Sequence, residues 1–284
     1  MLLDEDVLYK RFKDIKLIVS DVDGTLLNHE NEIGDYTAEI IKKLRAKNIL
    51  FTLATQRIYS SLTDIIEKLK IDIPVISVNG AYIRSKDGQV LNRSVLKSKQ
   101  VLKAIELSDN TFVRIALCCD DEIVFTDSNS IIKDFMKRAN TTYTLVDSYD
   151  NYLDNTLEII MMGSEKHDVK RIYSKMKFPY TIGLRIKYFK SATLQGYYNL
   201  EVLKKGISKK TGLQHLANHL GLKKNEVLVM GDWYNDRDLF EFGGLNIALQ
   251  NAVPELKAKA NYITEFTNDE EGVAHFLQLF HDNI

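Results

Sequence analysis

The run Lys16 to Ser20 (KLIVS) has an unbroken apolar centre, Leu17-Ile18-Val19, and leads into Asp21-Val22-Asp23-Gly24-Thr25, so it reads as a buried strand running into a polar loop. Strands of this kind belong to parallel sheets covered by helices on both faces. The rest of the N-terminal region keeps the same pattern. Tyr36, Ile40, Ile41 and Leu44 fall at helical spacing with charges between them. Ile49 to Thr55 and Pro74 to Val78 are two further buried strands, separated by a helix-like stretch from Ser61 to Leu69. After Lys205 the rhythm returns: helix Ser208 to Leu220, strand Glu226 to Met230, helix Asp236 to Phe242, then short strands Asn246 to Leu249 and Tyr262 to Thr264. Alternation of this sort predicts βαβ units and an α/β, doubly wound parallel sheet.

From about Ser85 to Lys190 the strands look half-buried instead: Phe112 to Cys119, Ile123 to Thr126, Leu157 to Gly163 and Thr181 to Phe189. Helical stretches at Gln100 to Leu107, Ser130 to Lys137 and Lys166 to Met176 lie between them, which predicts an α+β module with an antiparallel sheet. The economical organisation is one core built from residues 1–84 and 191–284, interrupted by an inserted domain at 85–190. A possible hairpin of Tyr82-Ile83 with Val90-Leu91 could belong to either part. A length of 284 residues fits two domains at roughly 150 residues each.

Composition closes off other classes. Lys+Arg 38 against Asp+Glu 39 leaves no basic field for nucleic acid or an anionic membrane. No apolar run approaches the ~20 residues of a membrane span, and the N-terminus turns acidic before an apolar leader can develop. Two adjacent cysteines, Cys118 and Cys119, cannot form a framework of bridges, which favours a reducing, cytoplasmic setting.

Ligand sites of doubly wound sheets lie at the carboxyl ends of the strands. Those ends carry Asp21 and Asp23, Thr55, Asn79, and Asp232 with Asn235 and Asp236. Each has a plain alternative, since Asp and Asn form loops and a Thr caps helices. Their convergence on one sheet edge favours a site. Asp21 and Asp23 repel each other without a cation, and Asp232 and Asp236 add two more acids nearby. Such an all-oxygen set suits Mg²⁺ retaining waters and a substrate phosphate. Gly24 leaves bare backbone free to approach an anion. Lys209 opens a helix, where it opposes the macrodipole, and so makes more sense as a wall of an anion site than as a helix stabiliser. As an alternative, it is a solvated member of the basic cluster with Lys204, Lys205 and Lys210.

The segments Asp21-Val22-Asp23-Gly24-Thr25-Leu26-Leu27, Thr55, Lys209 and Gly231-Asp232-Trp233-Tyr234-Asn235-Asp236 together resemble the four motifs of the haloacid dehalogenase (HAD) superfamily. The nearer resemblance is to its Cof-type phosphatases, which insert an α/β (C2B-like) cap after the third strand. Ile76 to Ala81, Glu201 to Leu220, Ile247 to Ala252 and Glu270 to Ala274 resemble further signatures of that group. The cap matches only in length and rhythm.

The resemblance implies a phosphoric monoester hydrolase acting on small phosphomonoesters such as sugar phosphates. In that scheme Asp21 attacks phosphorus to form an aspartyl-phosphate, and Asp23 protonates the leaving oxygen and then activates water. Mg²⁺ would be held by Asp21, the Asp23 carbonyl and Asp232, with Asp236 beside it or one shell out. Thr55, Lys209, Asn235 and the Gly24 backbone would grip the phosphoryl oxygens, and a closing cap would exclude macromolecules. A phosphomutase and a non-hydrolytic phospho-accepting module are the alternatives. Gln56, Lys210, Trp233 and Tyr234 depart from residues usual in the group, so Gln56, Arg57, Asn79 and Trp233 are expected at the mouth of the site. His215 and His219, spaced for a metal, are expected on an ordinary helix flank. Tyr180, Tyr188, Phe189, Tyr197 and Tyr198 are expected to serve packing more than binding.

Overall fold

A computed structural model describes residues 2–126, 130–138, 141–177, 182–191 and 194–284. The N-terminal portion runs α1 (Glu5–Phe12), β1 (Leu17–Ser20), α2 (Asp35–Ala46), β2 (Leu50–Leu53), α3 (Thr63–Leu69), β3 (Val75–Ser77), β4 (Tyr82–Arg84) and β5 (Val90–Arg93). The middle holds α4 (Ser98–Asp109), β6 (Arg114–Cys118), β7 (Ile123–Phe125), α5 (Ser130–Arg138), β8 (Thr144–Leu145), β9 (Glu158–Gly163), α6 (Lys166–Lys177), β10 (Leu184–Lys190) and β11 (Tyr198–Lys204). The last portion is α7 (Lys209–His219), β12 (Val227–Gly231), α8 (Arg237–Phe242), β13 (Leu245–Ala248), α9 (Pro254–Lys257), β14 (Tyr262–Ile263) and α10 (Gly272–Asp282). Among the described residues no helix is long and apolar enough to cross a membrane.

A five-stranded sheet in the order β14-β13-β12-β1-β2 is parallel throughout. Leu17, Ile18 and Val19 pair in register with Val227, Leu228 and Val229, and all six side chains are fully buried. Burial on both faces explains why KLIVS shows no alternation. The expected third strand behaves differently. It pairs antiparallel with β4 in a separate sheet ordered β3-β4-β5, and it lies beside β2 of the parallel sheet through a parallel bridge between Ala54 and Ile76 and a hydrogen bond from the Thr52 hydroxyl to the Pro74 carbonyl.

The middle of the chain forms a six-stranded sheet, β10-β11-β9-β6-β7-β8, antiparallel except for the β7–β8 pair. One face carries Ile115, Leu117, Ile159, Met161, Leu200 and Val202, packed with Val101 and Ala104 of α4 and Val169 and Ile172 of α6. Tyr188 and Tyr198 stack at 5.9 Å and pack against that cluster, as their expected use in packing requires. Tyr180 lies outside the described residues. Cys118 and Cys119 are buried free thiols, and burial pushes the Cys119 thiol up to about 12.

Two compact units result: Met1–Gln56 with Thr63–Asn92 and Ser208–Ile284, and Arg57–Leu62 with Arg93–Ile207. Their junctions differ from 84/85 and 190/191 for a reason of pairing. The β4–β5 hairpin follows β3 within the first unit, and β11 is hydrogen-bonded between β10 and β9.

Candidate active site

β1 and β12 are parallel neighbours, so the residues that follow them emerge at one sheet edge. Asp21 continues the ladder, its N–H donating to the Met230 carbonyl at 3.0 Å. Asp232 and Asp236 follow β12 on a tight 3₁₀ turn (Tyr234–Asp236) that leads into α8. Lys209 arrives from elsewhere, as the first residue of α7. Ser208 caps that helix, accepting from the Thr211 N–H at 3.3 Å, while the Thr211 hydroxyl accepts from the Ser208 N–H at 2.9 Å. The cap fixes where α7 begins, and therefore where Lys209 stands.

Lys209 is only 1% exposed. Its Nζ donates to Asp21 Oδ1 at 2.8 Å and to Asp236 Oδ1 at 2.7 Å. The other oxygen of Asp236 accepts from the backbone N–H groups of Asp232 at 3.1 Å and Trp233 at 3.0 Å. Asp236 therefore both anchors the lysine and shapes its own loop. Gly231 makes room for it, since a Cβ there would come within 2.7 Å of Asp236. Asp232 accepts from the Thr25 hydroxyl at 2.7 Å.

Gly24 has φ 75°, and a Cβ at that position would meet Asp232 Oδ2 at 2.4 Å. The glycine is needed because the Asp232 carboxylate lies against its backbone. Its carbonyl is held by Asn251 Nδ2 at 2.7 Å. Thr25 and Asn251 are thus organising residues to which no role was assigned from sequence. The only signal for Asn251 was its place in the IALQNA segment.

Asp21, Asp232 and Asp236 each bring a carboxylate oxygen within 4.8 Å of the other two, and all three are buried. No other such group exists among the described residues, so His215 and His219, both exposed on α7, form none. One ammonium faces three carboxylates, and the electrostatics reflect that imbalance. Burial, reinforced by Asp236 and opposed by Lys209, lifts the Asp21 carboxyl well above its usual range. Asp232 is pushed up to about 7, first by burial and then by Asp236, against the hydrogen bond from Thr25. Burial alone would pull the Lys209 ammonium down; Asp21 and Asp236 outweigh it and hold it above the ordinary lysine value. Buried like charges of this kind call for a cation. A divalent ion fits the donor set, which is all hard oxygen. Asn235, which precedes Asp236 in the same turn, has a buried side-chain oxygen without a hydrogen-bond partner.

The other expected residues are distributed unevenly. Asp23 is exposed, and its carboxylate lies outside the triad. Thr55 is fully buried just past β2, the strand next to β1. Its N–H donates to the Ile76 carbonyl and its carbonyl accepts from the Asn79 N–H, both at 2.9 Å. Asn79 adopts φ 52° at that junction, a conformation asparagine tolerates well. Gln56 ends the first segment of the core unit, whereas Arg57 belongs with the inserted one. Trp233 and Tyr234 are 44% and 48% exposed.

Comparison with known proteins gives a consistent picture. A family model described as haloacid dehalogenase-like hydrolase matches residues 18–277. The chain is 27% identical over 270 residues to the stress response protein YhaX of Bacillus subtilis, covering 93% of this chain and 92% of that one. It is 25% identical over 265 residues to the 5-amino-6-(5-phospho-D-ribitylamino)uracil phosphatase YitU of the same organism, covering 92% and 96%. A solved haloacid dehalogenase-like hydrolase from Bacteroides thetaiotaomicron superposes with a TM-score of 0.81 at 26% identity, over 93% of this chain and 99% of that one.

Proposed function

The chain belongs to the haloacid dehalogenase-like hydrolases, and on that premise we propose that it is a Mg²⁺-dependent phosphatase of small phosphomonoesters, working through an aspartyl-phosphate on Asp21. The observation that carries this reading is the buried ammonium of Lys209 bridging Asp21 and Asp236, with Asp232 alongside. A site with that surplus of carboxylate suits a divalent cation and, through it, a phosphoryl group.

Asp21 and Asp232 are the residues that would hold Mg²⁺, with Asp236 and the Asp23 carbonyl completing the set. When bound, the ion supplies positive charge against the phosphoryl oxygens and the carboxylates. Lys209 fixes the rotamer of Asp21 by its bond to Oδ1, which leaves the second oxygen as the attacking atom. Attack of that oxygen on phosphorus forms the Asp21–phosphorus bond and breaks the bond to the leaving oxygen. Asp23, which is exposed and not one of the buried triad, donates its proton to the leaving oxygen and then accepts one from the water that hydrolyses the acyl phosphate. Thr55, Asn235 and the loop amides after Asp21 orient the phosphoryl oxygens, where alignment and charge do most of the work. Similarity to proteins named as phosphatases of small metabolites supports the substrate class.

A panel of phosphorylated metabolites assayed with Mg²⁺ and with excess EDTA tests this. Phosphate release that requires Mg²⁺ is expected. Full activity in EDTA would remove the metal, and a bisphosphorylated intermediate would redirect the assignment to a phosphomutase.

A further inference from the structure

Trp233 and Tyr234 are two large aromatic side chains about half exposed, on the turn that carries Asp232 and Asp236. With their rings in edge contact, the two form a contiguous exposed aromatic surface, and contiguous apolar surface marks recognition sites more than scattered exposed residues do. The turn does not need these rings to hold its shape. Asp236 Oδ2 accepts from the Asp232 and Trp233 N–H groups, the Asp236 N–H donates to the Trp233 carbonyl at 3.0 Å, and the Val253 N–H donates to the Asp232 carbonyl at 2.9 Å. Backbone position is thus set without the side chains.

The rings are ordered relative to each other nonetheless. Their centroids are 5.2 Å apart with planes at 75°, and the Tyr234 hydroxyl lies 3.5 Å from Glu255 Oε1 on α9. An indole held this way is oriented before any ligand arrives, which lowers the entropy lost on binding. Among the described residues, the other exposed large hydrophobics of the core unit, Leu2, Val7 and Val90, are aliphatic.

Resting on the phosphatase reading, we infer that Trp233, buttressed by Tyr234, is a recognition platform for a planar heteroaromatic ring carried on the leaving group of the phosphomonoester. The substrate class narrows accordingly, from any small phosphate to one whose body bears such a ring. The indole offers a π-face for stacking and one N–H donor, a combination that favours rings over open-chain polyols.

Matched esters test this: uridine 5′-monophosphate and pyridoxal 5′-phosphate against ribose 5-phosphate and sorbitol 6-phosphate. The wild-type enzyme should prefer the ring-bearing pair in kcat/KM. Trp233→Leu should lower that preference about tenfold, mostly through KM, consistent with the usual strength of ring stacking, and Trp233→Phe should restore most of it. Trp233 is the single tryptophan of the chain, so its fluorescence is a second readout. Uridine 5′-monophosphate should change it on binding to the Asp21→Asn protein with Mg²⁺, and ribose 5-phosphate should do so far less. An unchanged preference in Trp233→Leu, or an equal fall for both pairs with a lower melting temperature, would overturn the inference while leaving the phosphatase intact. Absence of hydrolysis for every ester would overturn the phosphatase reading, and this inference with it.

Discussion

The two main sheets of this protein treat polar residues in opposite ways. In the parallel sheet, Leu17 to Val19 and Val227 to Val229 are apolar on both faces, so acids appear only where the strands stop. In the six-stranded sheet, polar residues sit inside the strands: Glu158, Asn199 and Glu201 are buried on the face opposite the Ile115–Met161–Val202 cluster. The difference teaches where chemistry becomes concentrated. In the parallel sheet the charged groups lie past the strand ends, and adjacent parallel strands deliver them to one place. In the six-stranded sheet, whose strands β7 and β9 are buried on both faces as well, carboxylates stay within the strands.

If that contrast is real, perturbing the strand ends should change chemistry and perturbing the inserted sheet should change stability. Asp21→Asn should have the largest effect. We expect turnover to fall by about 10⁴-fold or more, the scale seen when a nucleophile is removed, with circular dichroism and melting temperature preserved. Near wild-type turnover would break the comparison at its centre. Asp23→Asn should slow hydrolysis by ~10²–10⁴-fold, with the deficit growing as the leaving-group pKa rises, because proton transfer is the function lost. A deficit that does not vary with leaving group would reassign Asp23.

A smaller effect should follow from protonation. The folded pKa of Asp232, about 7, lies above its ordinary carboxylate value. Its contribution to stability in the metal-free protein is therefore complete below the ordinary carboxylate range and is lost as pH rises toward 7, and Asp21 shifts in the same direction. In the proposed metal site, Mg²⁺ would bind the ionised groups and so offset that loss. The gain in melting temperature on adding Mg²⁺ should thus be larger at pH 7.5 than at pH 5.5; a gain that shrinks with pH would contradict the buried acidic cluster.

The smallest change belongs to the inserted unit. The Tyr149 hydroxyl donates to the Ile115 carbonyl at 3.0 Å and accepts from the Thr126 N–H at 3.3 Å. Tyr149→Phe should cost about 1–2 kcal/mol of stability by leaving those groups unpaired, while the Mg²⁺ concentration for half-maximal activity stays the same. A shifted Mg²⁺ requirement would show that the two sheets are not separable in this way.

Local pattern made much of this legible. The KLIVS run and the helical spacing of Ile40 and Leu44 follow from which faces are covered, and that is written in the order of apolar residues; the middle third reads as half-buried strands, whereas β7 and β9 are buried on both faces. It was less informative about pairing. β3 has the composition of a parallel strand yet pairs antiparallel with β4, because Asn79 and Gly80, both at positive φ, turn the chain straight back. β11 does carry a strand pattern, Tyr198, Leu200 and Val202 alternating with Asn199 and Glu201, but only its pairing with β10 and β9 places it in the inserted unit.

The sequence by itself determined which residue types stand at the ends of β1 and β12, since the apolar runs of both strands give way to acids where the strands stop. Only the tertiary structure decided how they engage one another. Lys209 bonds to Asp21 across 188 positions and to Asp236 across 27. Asp232 presses on Gly24, and Glu271 caps α2 by accepting from the Thr37 N–H and hydroxyl, both at 2.8 Å, beside Gly34, where a Cβ would collide with it. The reason is physical. Periodicity records the local choice between solvent and interior, whereas an ion pair or a distant cap depends on which segments the closed fold brings within about 3 Å, and that distance is fixed only once all the layers have packed.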